Sequence, residues 1–157
     1  TPTKSSAASD VYKRQLGYVG TPKKINKEKI LNFINNKQIP IVVPLGLGDD
    51  GRIYNINADV AAGSIAKEID ARRLLLMTDV EGVLDENQKL ISEINLNRAN
   101  EMLKNNIISG GMIPKINTCL DAISNGVRGV VIVDGRKPHS ILFELFSDKG
   151  AGTLIRK

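Results

Sequence analysis

The 157-residue chain has no tryptophan, three tyrosines, three phenylalanines, one cysteine and one histidine, and each shortage excludes something. Aromatics at 4% are too few for a platform on which bases could stack. A lone Cys119 rules out an internal disulfide framework and fits a reducing compartment. In the amphipathic helix expected around it, Cys119 reads as a packed thiol rather than a reactive one. A lone His139 rules out a metal site built on several histidines. Lying at a helix start after Pro138, it reads as a surface or interface residue. No apolar run approaches the roughly 20 residues that span a bilayer, and no Walker-type GxxxxGK(S/T) or GxSxG motif occurs.

What is present is ordinary for a folded domain. Apolar residues make up 41% and charged residues 25%, enough for one domain with a real core. The formal charge of +5 is spread among acids, as in Lys67-Glu68 and Asp70-Ala71-Arg72-Arg73, so it reads as a solvated mixed surface. Neither a nucleic acid nor a membrane is expected as a partner. Residues 1–15 (TPTKSSAASDVYKRQ) are polar and lack core periodicity, and then LGYVG begins abruptly. They read as a non-native junction or disordered tail, with the domain running over 16–157.

From Asn26 onward helical and strand patterns alternate. Helices are expected over 27–37, 58–69, 97–106, 112–125 and 139–146, and strands over 39–44, 73–78, 90–91, 129–133 and 153–155. The turn-rich stretch 46–51 should return through a short hairpin arm at 52–55. Strands separated by helices give an α/β fold, a mostly parallel central sheet with helices on both faces.

Three places carry chemistry. Asn55, Asn57 and Asp59 alternate before an alanine-rich helix. A helix cap would account for one of them and leave two for a polar ligand. Thr78-Asp79 and Gly82 follow a buried strand, where a doubly wound sheet places ligands, although Asp and Gly there also make a plain turn. Ser109-Gly110-Gly111 opens a helix with Lys115 one turn in. Amides at a helix start favour an anion, whereas the dipole disfavours a cation there, so Lys115 needs a phosphate or a carboxylate beside it.

The segments GYVG (17–20), PLGLGDDGRIYNINADVAAGSIA (44–66), LLLMTDVEGVLD (74–85), SGGMIPKINTCLDAISNGV (109–127) and VDGRKPHSILFELFSDKGAGTLI (133–155) resemble the carboxyl-terminal half of the acetylglutamate kinases, a branch of the amino acid kinase family. The NxNAD element is what separates that branch from glutamate 5-kinases, aspartokinases and uridylate kinases. The resemblance implies a three-layer sandwich and transfer of the γ-phosphate of MgATP to the side-chain carboxylate of N-acetyl-L-glutamate, in cytoplasmic arginine biosynthesis. It implies that Lys115 stabilises the transition state, that Asp59 holds the catalytic lysines, and that Asn55 and Asn57 meet the substrate. ATP would be met by Thr78, Asp79, Val80, Glu81, Gly82, Val83 and Leu84, with Ile107, Ile108, Ser109 and Gly111. Glu144 and Gly150 suggest an L-arginine effector pocket, although arginine-inhibited members commonly carry histidine where this chain has Val131.

The family's glycine-rich first loop, with its own lysine, and the residues that grip acetylglutamate have no counterpart in this sequence. The expectation is therefore a nucleotide lobe that binds ATP without turning over, cut from a homo-oligomeric enzyme. The alternatives are another amino acid kinase, such as a glutamate 5-kinase, or a non-catalytic domain that senses ATP or arginine.

Overall fold

The structure, a computed structural model, describes residues 17–157, so the expected tail at 1–15 lies outside the described residues. Seven strands and five helices are found there, the strands in two sheets. β1 (Val19–Gly20), β2 (Leu45–Leu47) and β3 (Ile53–Ile56) form the smaller one, with β1 parallel and β2 antiparallel to the central β3. β4 (Arg73–Thr78), β5 (Glu93–Asn95), β6 (Gly129–Asp134) and β7 (Gly152–Arg156) form the larger, in the order β4-β6-β7-β5. In it β4·β6 and β5·β7 are parallel and β6·β7 is antiparallel. The α/β class with mainly parallel pairing holds, but the strands are divided between two sheets.

The helices are α1 (Lys27–Asn35), α2 (Ala58–Glu68), α3 (Leu96–Lys104), α4 (Met112–Ser124) and α5 (Ser140–Phe146). β6 is buried along its whole length, as its unbroken GVVIV run requires. Val130 and Ile132 join the main core with Ala66 of α2 and with Ile116, Cys119, Ala122 and Ile123 of α4. Val131 and Val133, also fully buried, lie on the opposite face of the strand, and α5 packs against it as well. Helix, sheet and helix make the three layers.

α2 and α4 approach closely because the contact is made of small groups. A Cβ added at Gly63 would stand 2.9 Å from Cγ2 of Thr118. One turn either way, Asp59 reaches Lys115 and Lys67 reaches Asp121. Positions 59, 63 and 67 therefore meet 115, 118 and 121 in the same chain direction. The two helices run parallel, and their N-termini share one end.

Two expectations differ from the structure. The run 39–44 is not a strand: Ile39 and Ile41 are 91% and 93% exposed. It has the apolar content of a buried strand, but apart from Pro44, whose carbonyl accepts from the Ile56 amide at 2.9 Å, it pairs with no strand among the described residues, and a strand without a ladder does not form. Leu90 makes only an isolated bridge to Leu84, and the regular strand starts later, at Glu93. The stretch GLGDDG (46–51) closes the β2–β3 hairpin, as its turn-rich composition predicts; its GxGxxG spacing opens no helix and carries none of a dinucleotide motif's chemistry. Cys119 is fully buried as expected, and burial pushes its thiol up to about 12.

A side chain at Gly152 has no room, since a Cβ there would overlap the carbonyl oxygen of Ile132 across the β6–β7 pair. We predict that Gly152→Ala destabilises the fold by about 1–3 kcal/mol in urea titration. An unchanged unfolding midpoint would show that the two strands are not held at this distance.

Candidate active site

Because α2 and α4 run parallel, the positive ends of both helix dipoles meet, and the carboxylate and ammonium groups they carry meet with them. Lys115 Nζ donates to Asp59 Oδ2 at 2.7 Å, and both side chains are about four-fifths buried, at 23% and 22% exposed. The compensation that the sequence demands for a lysine in a helix's first turn is thus Asp59. Asp59 gains in turn, since a carboxylate in a first turn is favoured.

Asn57 is the helix cap. Its Oδ1 accepts from the amides of Asp59 at 3.0 Å and Val60 at 3.2 Å, so only its side-chain amino group is left for a ligand. Asn55 sits exposed at the carboxyl end of β3, two residues before the cap. Its backbone amide bonds to the Tyr18 carbonyl at 2.7 Å, and its side chain has no hydrogen-bond partner among the described residues. Of the three alternating polar residues, one builds the helix, one aims the lysine and one is open.

The start of α4 differs in part from the sequence picture. Gly111 caps it without a side-chain bond. The amides of Met112 and Ile113 are drawn into turns with Ser109 and Gly110, at 3.3 and 3.2 Å. Gly110, at φ +56°, and Gly111 both face open space, and Ser109 is exposed. Ile107 and Ile108 hang from the carbonyl of Met102 at the end of α3, and Ile108 is buried in the main core.

The loop after β4 lies at the carboxyl edge of the larger sheet, beside the loop that follows its parallel neighbour β6. The two are stitched by the Gly135 amide, which donates to the Thr78 carbonyl at 2.8 Å. Thr78 Oγ1 bonds to Asp79 at 3.2 Å, and Lys137 pairs with Glu81 at 2.7 Å. Asp79, Val80 and Glu81 are exposed, whereas Gly82 and Val83 are buried and Leu84 half-buried. Side chains at 79–81 can reach a ligand; those at 83 and 108 belong to one core and can offer only backbone.

Sequence reasoning missed two anchors at this sheet edge, one in the loop after β6 and one in the loop after β4. Asp134, at the tip of β6, takes a fork from Arg136: Nε at 2.9 Å and Nη2 at 3.0 Å, with the Arg136 amide at 3.0 Å. These bonds hold the Asp134 carboxyl at about 2, well below its ordinary 3.8. Thr153 of β7 holds Val83 through its hydroxyl at 2.8 Å. The Asp-x-Arg spacing at 134–136 was a readable signal for the first anchor. Nothing local marks the second, whose partners lie 70 residues apart.

The two effector candidates do meet. Glu144 is 8% exposed; its Oε2 accepts from the Ala151 amide at 2.9 Å, and its Oε1 lies 3.5 Å from a guanidinium nitrogen of Arg73. Gly150, at φ +68°, passes so close that a Cβ would stand 2.7 Å from Glu144 Oε2. His139 is exposed at φ +59° before α5 and makes no cap bond. Among the described residues no helix is long and apolar enough to cross a membrane.

Comparison with known proteins places this geometry in context. Residues 2–134 match the model of the amino acid kinase family. The acetylglutamate kinase of Pelagibacter ubique is 59% identical over 144 residues, covering 92% of this chain and 50% of that protein. The chain thus spans about half the length of the curated relatives it matches. Among solved structures, N-acetylglutamate synthase from Neisseria gonorrhoeae, complexed with coenzyme A and L-arginine, superposes with a TM-score of 0.83 at 26% identity. That match covers 89% of this chain and 32% of the synthase. The protein smu.665 of Streptococcus mutans gives a TM-score of 0.74 at 37% identity, over 92% and 53% of the two chains.

The depressed Asp134 carboxyl fixes a sign. Its stabilising bonds are complete above about pH 4 and are lost as pH falls towards its folded value of about 2. Urea unfolding followed from about pH 5 down to about pH 2 should show a loss of stability that is smaller in Asp134→Asn. Equal acid dependence in the two proteins would mean that the Arg136 fork does not hold the carboxylate in solution.

Proposed function

The chain belongs to the amino acid kinase family, and from that premise we propose that it is the nucleotide-side lobe of an enzyme that transfers the γ-phosphoryl of MgATP to the side-chain carboxylate of N-acetyl-L-glutamate. The observation that carries this reading is the Lys115–Asp59 pair at 2.7 Å, where two helix N-termini converge. Its relatives at 50–59% identity are acetylglutamate kinases, which favours this branch over a glutamate 5-kinase.

The chemistry asks little of the protein beyond placement and charge. An acetylglutamate side-chain carboxylate is ionised at neutral pH, so it attacks phosphorus without a general base. As the bond to the γ-phosphorus forms and the bond to the ADP oxygen breaks, negative charge is spread over the transferring oxygens. Lys115, aimed by Asp59 and backed by two dipoles, is placed to neutralise that charge. Asn55 and the free amino group of Asn57 offer polar contacts to acetylglutamate. The exposed side chains at 79–81, with the turn at 107–109 and Gly111, offer the nucleotide site.

This surface is half of a site. Nothing among the described residues supplies a second lysine beside Lys115 or an arginine for the substrate carboxylate. The exposed run 39–43 fits an adjoining lobe that would complete the sheet. The bare apolar side chains of α5, Leu142 at 52%, Phe143 at 61% and Phe146 at 83% exposed, fit a contact between subunits of the whole enzyme.

Glu144 carries the effector reading. It already receives the Arg73 guanidinium, the same group that free L-arginine would present, and a structural neighbour was solved with L-arginine. Calorimetric titration should give arginine binding that Glu144→Gln abolishes; no heat with the unmodified chain contradicts the effector reading.

For the main proposal, the purified chain should bind MgATP, Lys115→Ala should weaken that binding about tenfold, and no acetylglutamyl phosphate should form. Product above the Lys115→Ala background would contradict the half-site account, and absent MgATP binding would contradict the nucleotide lobe itself.

A further inference from the structure

We propose that Thr153 is a positioning residue for the nucleotide, the group that fixes the loop at 79–84 in its binding shape; this rests on reading that loop as nucleotide-binding. Thr153 is completely buried in β7, opposite Ile132 of the central strand. A buried hydroxyl has one hydrogen to give and lone pairs to receive, and here both capacities are used. Thr153 Oγ1 accepts from the Val83 amide at 2.8 Å and donates to the Ile91 carbonyl at 2.6 Å.

Those two partners are the arms of one small hairpin. The Ile91 amide bonds to the Val83 carbonyl at 2.9 Å, and the Asp85 amide to the Lys89 carbonyl at 2.9 Å. The hydroxyl thus ties both arms at the root of the hairpin to β7, beside the Leu154 amide, which donates to the Ser92 carbonyl at 2.9 Å on one arm only. The adjoining loop is held at its other end by the Gly135 amide on the Thr78 carbonyl. Between the two anchors lie Asp79, Val80, Glu81 and Gly82, the first three exposed.

Gly82 fits the same design. Its φ of +146° is one that side chains rarely adopt, and a Cβ there would stand 2.5 Å from Thr153 Oγ1 and 3.2 Å from the Thr153 amide nitrogen. The glycine is what lets the loop backbone come down onto the hydroxyl. Loop residues aimed at a ligand lose affinity when their support is left loose, because the ordering cost then falls on binding.

The test compares the unmodified chain with Thr153→Val, which keeps the shape and removes both bonds, and Thr153→Ser, which keeps the hydroxyl. MgATP affinity is read by calorimetry, and amide exchange at Val83 by NMR. Thr153→Val should exchange Val83 at least about tenfold faster and bind MgATP about tenfold more weakly, with Thr153→Ser within about twofold of the unmodified chain in both. Gly82→Ala, which drives a methyl onto the same hydroxyl from the loop side, should weaken MgATP in the same direction and serves where Thr153→Val does not fold.

A purely structural role would lower the urea midpoint and leave the MgATP affinity of the folded protein unchanged; that result overturns the proposal, as does a Thr153→Ser as weak as Thr153→Val. If the unmodified chain binds no MgATP, the kinase reading fails first and this proposal falls with it. If it binds and Lys115→Ala weakens it, the kinase reading stands and Thr153 alone is on trial.

Discussion

The parallel packing of α2 against α4 is the constraint on which the candidate site depends. Gly63 sets the distance, because any larger group would meet Thr118. Chain direction then does the rest, bringing two helix N-termini to one end and placing Asp59 on Lys115. The companion pair Lys67–Asp121 lies at the other end and is more open, at 27% and 54% exposed, where an ion pair contributes about 0–1 kcal/mol. Its value is in orientation rather than stability. The enclosed pair near the dipoles is the one that can act on a phosphoryl group, since charge interactions strengthen as water is excluded.

The loop after β4, proposed to meet the nucleotide, is not a free connection. It hangs between β4 and the core, stitched to the neighbouring strand at Thr78, to β7 at Val83 and to Lys137 at Glu81. What stays exposed is the short stretch that a ligand could touch. The Arg136 fork on Asp134 stiffens the adjacent loop at the same sheet edge. The site is thus made of a few exposed groups held by buried ones, as expected where rigid elements carry a binding surface.

Much of this was legible in the sequence, and the failures have physical causes. The lysine at a helix start demanded an anion, and the anion was found four residues inside the NINAD stretch, at Asp59. The cap argument assigned one of the three polar residues to the helix without saying which, and the structure makes it Asn57. The GVVIV run announced the central strand. The run 39–44 misled because apolar content says only that a segment can be buried, while strand formation also needs a ladder, and among the described residues only Pro44 bonds a neighbouring strand. The bond from Thr153 to Val83 was invisible because a contact across 70 residues leaves no local pattern. The split into two sheets was hidden for the same reason: pairing is a long-range property.

The central claim is that Asp59 acts through Lys115 on bound nucleotide. A double-mutant cycle read in MgATP affinity tests it most directly, with Lys115→Ala, Asp59→Ala and the double variant compared in the same buffer. The account predicts that each single change weakens binding and that the double variant is no weaker than Lys115→Ala alone. Effects that simply multiply would contradict it, because Asp59 and Lys115 would then be acting on the nucleotide independently.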